Sequence, residues 1–395
     1  MLTPKRLLFA LICSTTLACG DENSASTEPL NIAGHTEQAD TDPDIDNCIE
    51  LSSPVMVSGT FYEDADLSER SAYTGGMTDE DPLITPNLIV MGAASSEYEI
   101  STCDDGRYEI GGLADGSYLI APNLEDRQCS TNNCSRTFAK AMQENGSAVV
   151  VTFGDSLAVY GERPLFPERF ASLMAGIGEI QNRNVAVSGS TSSDWLPNGN
   201  YFRNRLSPHL ESAELIVITI GGNDFAQLIN NAATFLANPS AAAGAAREAV
   251  QQAIENLKII ITAIREVNPE VDIAFCLYPD YTQATGTIWS TINNFLGQGE
   301  LSNIITEARE AFPNEERNLI LVDVFGAAQG LSLKEYLYTQ PNGQVDPLHF
   351  SAKGQVLYAE ELFKSVGGIL LGDSPLGELG NSPLGTDRDF GFTPQ

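Results

Sequence analysis

Residues 148–161 read Ala-Val-Val-Val-Thr-Phe-Gly-Asp-Ser-Leu-Ala-Val-Tyr-Gly, an apolar, β-branched run that breaks at Gly154-Asp155-Ser156. A run so short and so rich in valine suits a strand buried on both faces, and the glycine lets the chain turn sharply at its carboxyl end. Open α/β sheets carry their chemistry at that end. The hydroxyl of Ser156, lifted out of the sheet by such a turn, is a poor nucleophile near neutral pH and needs a base.

The chain has 3 histidines. His35 lies in a polar, acidic stretch, and His209 follows Ser207-Pro208 with no carboxylate placed to orient it. His349 closes Asp346-Pro347-Leu348-His349, where the carboxylate three positions earlier can turn back onto one ring nitrogen while the other faces a nucleophile. That is a Ser/His/Asp division of labour in the chain order Ser156, Asp346, His349. Two more strand ends supply candidate donors for a developing oxyanion. Gly189-Ser190-Thr191 follows the run 184–188, and Gly221-Gly222-Asn223-Asp224 follows the apolar run 215–220. In each a glycine lets backbone N–H approach a substrate oxygen, and Asn223 adds a side-chain amide.

Gly154-Asp155-Ser156-Leu157, Gly189, Gly221-x-Asn223-Asp224 and Asp346-x-x-His349, in this order over residues 148–366, resemble the four blocks of the SGNH hydrolase superfamily, of the GDSL lipase/esterase type. The resemblance implies Ser156 as nucleophile, His349 as base and Asp346 as its orienting acid. It also implies an oxyanion hole made of the Ser156 N–H, the Gly189 N–H and the Asn223 amide. A lone Gly-Asp-Ser carries little weight; Gly372-Asp373-Ser374 also follows an apolar run, but Pro375 comes next and no histidine lies downstream. The expected activity is hydrolysis of carboxylic esters of lipids or short acyl groups, through an acyl-enzyme. Two alternatives stand beside it: removal of O-acetyl groups from glycans, and a surface binding protein whose hydrolase fold is idle. No cofactor is expected, and scattered histidines offer no metal-ligand cluster. Asp155 and Asp224 adjoin the site and are expected to hold turn backbone. Trp195 and Phe225 are candidates to line the substrate, or to pack.

At 395 residues with 53 acidic against 21 basic side chains, the chain carries a net charge of -32. Such a surface repels nucleic acid and anionic membranes, so neither is an expected partner. The N-terminus points to export: Lys5-Arg6, the apolar run 7–17 and the small Ala18 make a secretory signal over 1–18, too short for a mature membrane span. Thr16-Leu17-Ala18-Cys19 resembles a bacterial lipobox, which implies lipid attachment at Cys19 and a place at the outer membrane or cell surface; ordinary cleavage and secretion remain the alternative. A membrane is thus expected as a partner only through that anchor, and the chain is expected to act as a monomer. Cys48, Cys103, Cys129 and Cys134 form an even set in an exported segment, so two disulfides are expected, with three pairings open, Cys129 with Cys134 and Cys48 with Cys103 among them. Cys276, in an apolar strand, reads as a buried thiol.

Residues 19–47 have the acidic, apolar-poor composition of a tether. Within it Asp40, Asp42, Asp44 and Asp46 lack the glycine and distal glutamate of a calcium loop. Residues 48–135 change to β-type alternation with Asp-Gly turns at 105–106 and 115–116. The stretch 105–120 resembles carboxypeptidase regulatory-like, prealbumin-type β-sandwiches, which implies a small supporting all-β domain. After a polar connection at 132–146 the hydrolase domain is expected over 147–370, with strands at 148–153, 182–187, 215–220, 272–278 and 318–324. Helices are expected at 241–267, 301–312 and 352–366; the first carries Val250, Ile254, Leu257, Ile261 and Ile264 at helical spacing and stops before Pro269. Strands alternating with helices give a parallel five-stranded sheet in a three-layer α/β/α, flavodoxin-like domain. The tail 371–395 repeats Ser-Pro-Leu-Gly and reads as disordered.

Overall fold

A computed structural model describes residues 51, 55–61, 87–92, 98–102, 107–123, 137–224, 239–281, 319–371, 376 and 390–392, all within one compact unit, Ile45–Gln395. The signal, the tether, His35, Cys19, Cys48, Cys103, Cys129, Cys134, Phe225 and the helix expected at 301–312 lie outside these residues.

The chain enters through five short strands, β1 (Val55–Phe61), β2 (Asn87–Gly92), β3 (Glu99–Thr102), β4 (Arg107–Gly111) and β5 (Gly116–Asn123). β4 pairs antiparallel with β1 and β3, and β5 pairs antiparallel with β2, so two small sheets form. Tyr108 and Ile110 from one sheet meet Tyr118 and Ile120 from the other in a shared core. Leu119, pointing the opposite way by the period of two, joins the larger core around the parallel sheet.

Helix α1 (Thr137–Asn145) comes next, within the stretch expected to be a polar connection. Phe138 and Met142, one turn apart, bury themselves against the sheet, and the buried carboxylate of Asp272 caps the helix by accepting from Phe138 N at 2.9 Å. The central strand β6 (Ser147–Gly154) follows, then α2 (Phe166–Met174), β7 (Glu179–Asn184), β8 (Leu215–Thr219), α3 (Pro239–Val267), β9 (Asp272–Cys276) and β10 (Leu319–Val322). The five strands run parallel in the order β10-β9-β8-β6-β7.

Alternation along these strands creates the layers. Ala148, Val150, Val217, Ala274 and Cys276 face one side, where α1, α2 and a later helix pack; Val151, Phe153, Ile216, Ile218 and Ile273 face the other, under α3. The apolar stripe of α3 is used as its spacing predicts: Ile254, Leu257, Ile261 and Ile264 are buried. Each such side chain contributes about 1.5–3 kcal/mol on leaving water. Cys276 is a free, fully buried thiol whose pKa burial pushes far up, so it is inert. Edge strand β7 begins three residues earlier than its apolar run suggests, because backbone pairing with β6 starts at Ser147 opposite Glu179, and an edge strand tolerates polar side chains.

Beyond the sheet, β11 (Leu337–Thr339) and β12 (Val345–Phe350) form an antiparallel ribbon that leads into α4 (Ala352–Ser365). Then β13 (Gly368–Leu371) crosses back and pairs antiparallel with β5, so the end of the expected hydrolase segment completes one of the two small N-terminal sheets. Within the tail, β14 (Phe390–Phe392) runs parallel to β1.

Candidate active site

The chain order of the sheet reverses at β6: the connection from β6 goes to one neighbour, β7, and the next strand, β8, lies on its other side. Loops leaving β6, β7 and β8 therefore part at a crevice beyond their carboxyl ends. Ser156, Gly189 and Asn223 stand in these three loops.

Ser156 is raised by the turn after Gly154. Gly154 has φ of 130°, and a Cβ there would come within 1.9 Å of the Thr219 carbonyl oxygen, so no other residue fits. Asp155 is extended and caps the short 3₁₀ turn Ser156–Ala158 by accepting from Leu157 N at 3.0 Å. Its second oxygen accepts from the Tyr278 hydroxyl. Burial raises the Asp155 carboxyl to about 6, although Tyr278 and Leu157 pull it down. The expected structural role of Asp155 is thus visible in its partners.

His349 reaches the serine from β12, 193 residues along the chain, with Nε2 2.8 Å from Ser156 Oγ. Its Nδ1 lies 2.9 Å from Asp346 Oδ1, off the line of an ideal hydrogen bond, since that oxygen also accepts from Leu348 N at 3.0 Å and His349 N at 3.1 Å. Burial alone would push the Asp346 carboxyl up; the imidazole and the two N–H donors outweigh it and hold it at about 2. Tyr281 fixes the ribbon by donating its hydroxyl to Leu348 O at 3.0 Å and stacking on Phe350. A ring proton on Nδ1, beside the Asp346 carboxylate, leaves Nε2 to accept from the serine hydroxyl.

The other two loops are stitched to this turn. Ser190 Oγ donates to Gly154 O at 2.8 Å, and the Asn223 amide donates to Ser190 O at 2.9 Å, its second N–H having no partner among the described residues. Gly189 has φ of 80° and open space where a Cβ would stand. Asp224 accepts from Ser192 N at 2.8 Å and Ser192 Oγ at 2.6 Å, and burial raises its pKa. It holds loop backbone, as expected.

Trp195 requires a correction. Its side chain is fully buried between Phe153 and Tyr201, so it does not line a substrate. A buried indole needs an acceptor, and Trp195 Nε1 donates to Ser190 Oγ at 2.9 Å, bracing the loop from behind. Sequence reasoning also missed Asn256 of α3, whose amide donates to Ser192 Oγ at 2.8 Å. Its partner is 64 residues away, and nothing local to Asn256 marks that contact. Tyr160 was missed as well: its ring lies 4.4 Å from the His349 imidazole and edge-on to Tyr338 at 6.2 Å.

Fold and site together define an ester hydrolase of the three-layer α/β/α kind. Over residues 152–357, more than half its length, the chain matches the GDSL-like Lipase/Acylhydrolase family, and it belongs to that family. Among solved structures it is similar to the lipase Lip_vut3 from a goat rumen metagenome, at 18% identity and a TM-score of 0.42, covering 59% of this chain and 99% of that one. A phospholipase A1 from Streptomyces albidoflavus is similar at 20% identity and a TM-score of 0.41, covering 55% and 99%. A variant of an acetyl xylan esterase from Geobacillus stearothermophilus is similar at 16% identity and a TM-score of 0.38, covering 57% and 97%. The curated proteins searched contain no match.

Proposed function

We propose that the chain is an exported serine esterase that cleaves carboxylic esters through an acyl-enzyme. The observation that carries this reading is the continuous line from Ser156 Oγ through the His349 ring to Asp346, at 2.8 and 2.9 Å. Ser156 Oγ forms a bond to the ester carbonyl carbon while His349 Nε2 takes its proton, and the carbonyl electron pair moves onto oxygen. The negative charge of Asp346 steadies the imidazolium formed. The Ser156 and Gly189 N–H groups and the free N–H of Asn223 receive the oxyanion. Collapse breaks the bond to the alcohol, which leaves with the proton from Nε2; water then repeats the cycle and frees the acid.

Export rests on the 1–18 signal and the Cys19 lipobox, with the acidic segment 19–47 holding the catalytic unit away from the membrane and the β domain supporting it. The test is hydrolysis of p-nitrophenyl esters of rising acyl length by the wild type, Ser156→Ala and Asn223→Ala. Ser156→Ala is expected to abolish turnover, and Asn223→Ala to lower kcat roughly a hundred- to a thousandfold. Turnover that survives in Ser156→Ala sinks the mechanism; a loss of under about tenfold in Asn223→Ala removes that residue from the oxyanion hole.

A further inference from the structure

One tyrosine, Tyr160, packs on the His349 imidazole, and a second, Tyr338, packs on that tyrosine. Tyr160 follows Ser156 by one tight turn, its N–H donating to Ser156 O at 2.7 Å, and its side chain is 44% exposed. Tyr338 of β11 stands edge-on to it, the two rings inclined at 87°. Neither phenol hydroxyl is engaged by another described residue. The pair is also held rigidly. Glu162 N donates to Phe350 O at 3.0 Å, and the Glu162 carboxylate accepts from Ala352 N at 2.9 Å, which ties the Tyr160 loop to the end of β12. Gly161, at φ of 130°, permits that approach, because a Cβ there would lie 2.7 Å from both Phe350 O and Gln355 Nε2.

The direction of the reaction says what these rings meet. In the acyl-transfer step His349 returns its proton to the departing alcohol oxygen, so the alcohol half of the ester lies on the histidine side of Ser156. An exposed ring against that imidazole therefore contacts the alcohol half, with the acyl half on the opposite side. We propose that Tyr160 and Tyr338 form the alcohol subsite, and that the alcohol they accept is a sugar ring, making the substrate an acylated glycan. This rests on the serine-esterase reading. A pyranose presents a flat C–H face edged with hydroxyls, which matches two preordered aromatic faces whose own hydroxyls are free to hydrogen-bond. An alkyl chain has no use for those phenols. A net charge of -32 repels anionic lipid surfaces and leaves a neutral glycan unaffected.

The experiment holds the acyl group at acetate and varies the alcohol: a peracetylated methyl xylopyranoside, triacetin and ethyl acetate, each with the wild type, Tyr160→Ala, Tyr160→Phe, Tyr338→Ala and Ser156→Ala. The wild type is expected to show the highest kcat/KM on the sugar acetate. In Tyr160→Ala and in Tyr338→Ala the ratio of sugar acetate to ethyl acetate should fall about tenfold, chiefly through KM, the size of one aromatic contact. Tyr160→Phe, which keeps the ring, should hold that ratio within about threefold. Tyr338 packs on Tyr160, which stands between it and His349, so its variant reads the subsite apart from the base. Ratios unmoved in both alanine variants, or a wild type that prefers triacetin, overturn the sugar subsite while serine-dependent turnover leaves the esterase reading standing. Loss of serine dependence on all three esters overturns both.

Discussion

Asp155 is the residue whose chemistry is least explained by the reaction and best explained by position. It is 2% exposed directly before Ser156, and its carboxyl sits at about 6, raised by burial. A carboxyl whose folded pKa exceeds its unfolded value of about 3.9 adds stability that is full below pH 4 and is lost as pH rises through 6. The two-unit shift corresponds to a ceiling on the order of 3 kcal/mol. Asp155→Asn cannot ionise and still offers an acceptor to Leu157 N. Its melting temperature relative to the wild type is expected to climb between pH 4 and pH 7; a difference that stays flat across that range contradicts the assignment. Asp346 shows the opposite case. Held at about 2, it remains charged through the whole working range, and its stabilising contribution is lost only as pH falls from about 4 through 2.

At the scale of elements, α3 does more than cover the sheet. Its apolar stripe docks under Ile216 and Ile218, and Asn256, 5% exposed, extends from the same helix to Ser192, which Asp224 grips from the β8 loop. Asn223, neighbour to Asp224, aims its amide at Ser190 in the same loop as Ser192. A helix with a long buried face thus fixes the separation between the Gly189 and Asn223 loops. Asn256 acts as a positioning residue, through others. Replacing it by alanine leaves Ser192 short of one donor and is expected to lower kcat about tenfold with KM changed by less than threefold, measured by steady-state kinetics; a change confined to KM or to melting temperature would assign Asn256 to packing alone.

On the scale of the whole molecule, the small antiparallel sheets and the parallel-sheet layers share core and strand pairing within one compact unit. Leu119 of β5 enters the hydrolase core, and β13, which follows α4, hydrogen-bonds to β5 from Gly368 opposite Leu119 to Leu371 opposite Gly116. The small sheets are therefore closed by chain from beyond His349. At the other end of the chain, the lipobox reading makes a prediction about the mature protein. Intact-mass analysis of membrane-fraction protein is expected to show a chain beginning at diacylglyceryl-modified Cys19. An unmodified N-terminus found only in the medium would replace the anchor with simple secretion.

Much of the site was legible before any fold. Ser156, Asp346 and His349 announce themselves through local rules: a glycine at the end of a short apolar run for the first, a carboxylate three residues from a histidine for the other two. The parallel sheet follows from period-two burial in Val-rich segments and from a helical stripe too long to be anything else. Other assignments were decided only when distant parts met. Trp195 is polar at one end and apolar at the other, and sequence cannot say whether such a side chain faces substrate or core; the close approach of Phe153 and Tyr201 sends it inward. Helix α1 hides in a polar stretch because its two large apolar residues gain their value from the sheet they cover. Asn256, Tyr160 and Tyr338 carry no local mark, since each meets its neighbours at the site only through parts of the chain remote in sequence. The amino-acid order by itself set the chemistry and the kind of sheet, because these depend on near neighbours and periodicity. The tertiary structure alone decided which side chains brace the loops and which stay exposed beside His349, because burial is a property of what the rest of the chain brings alongside.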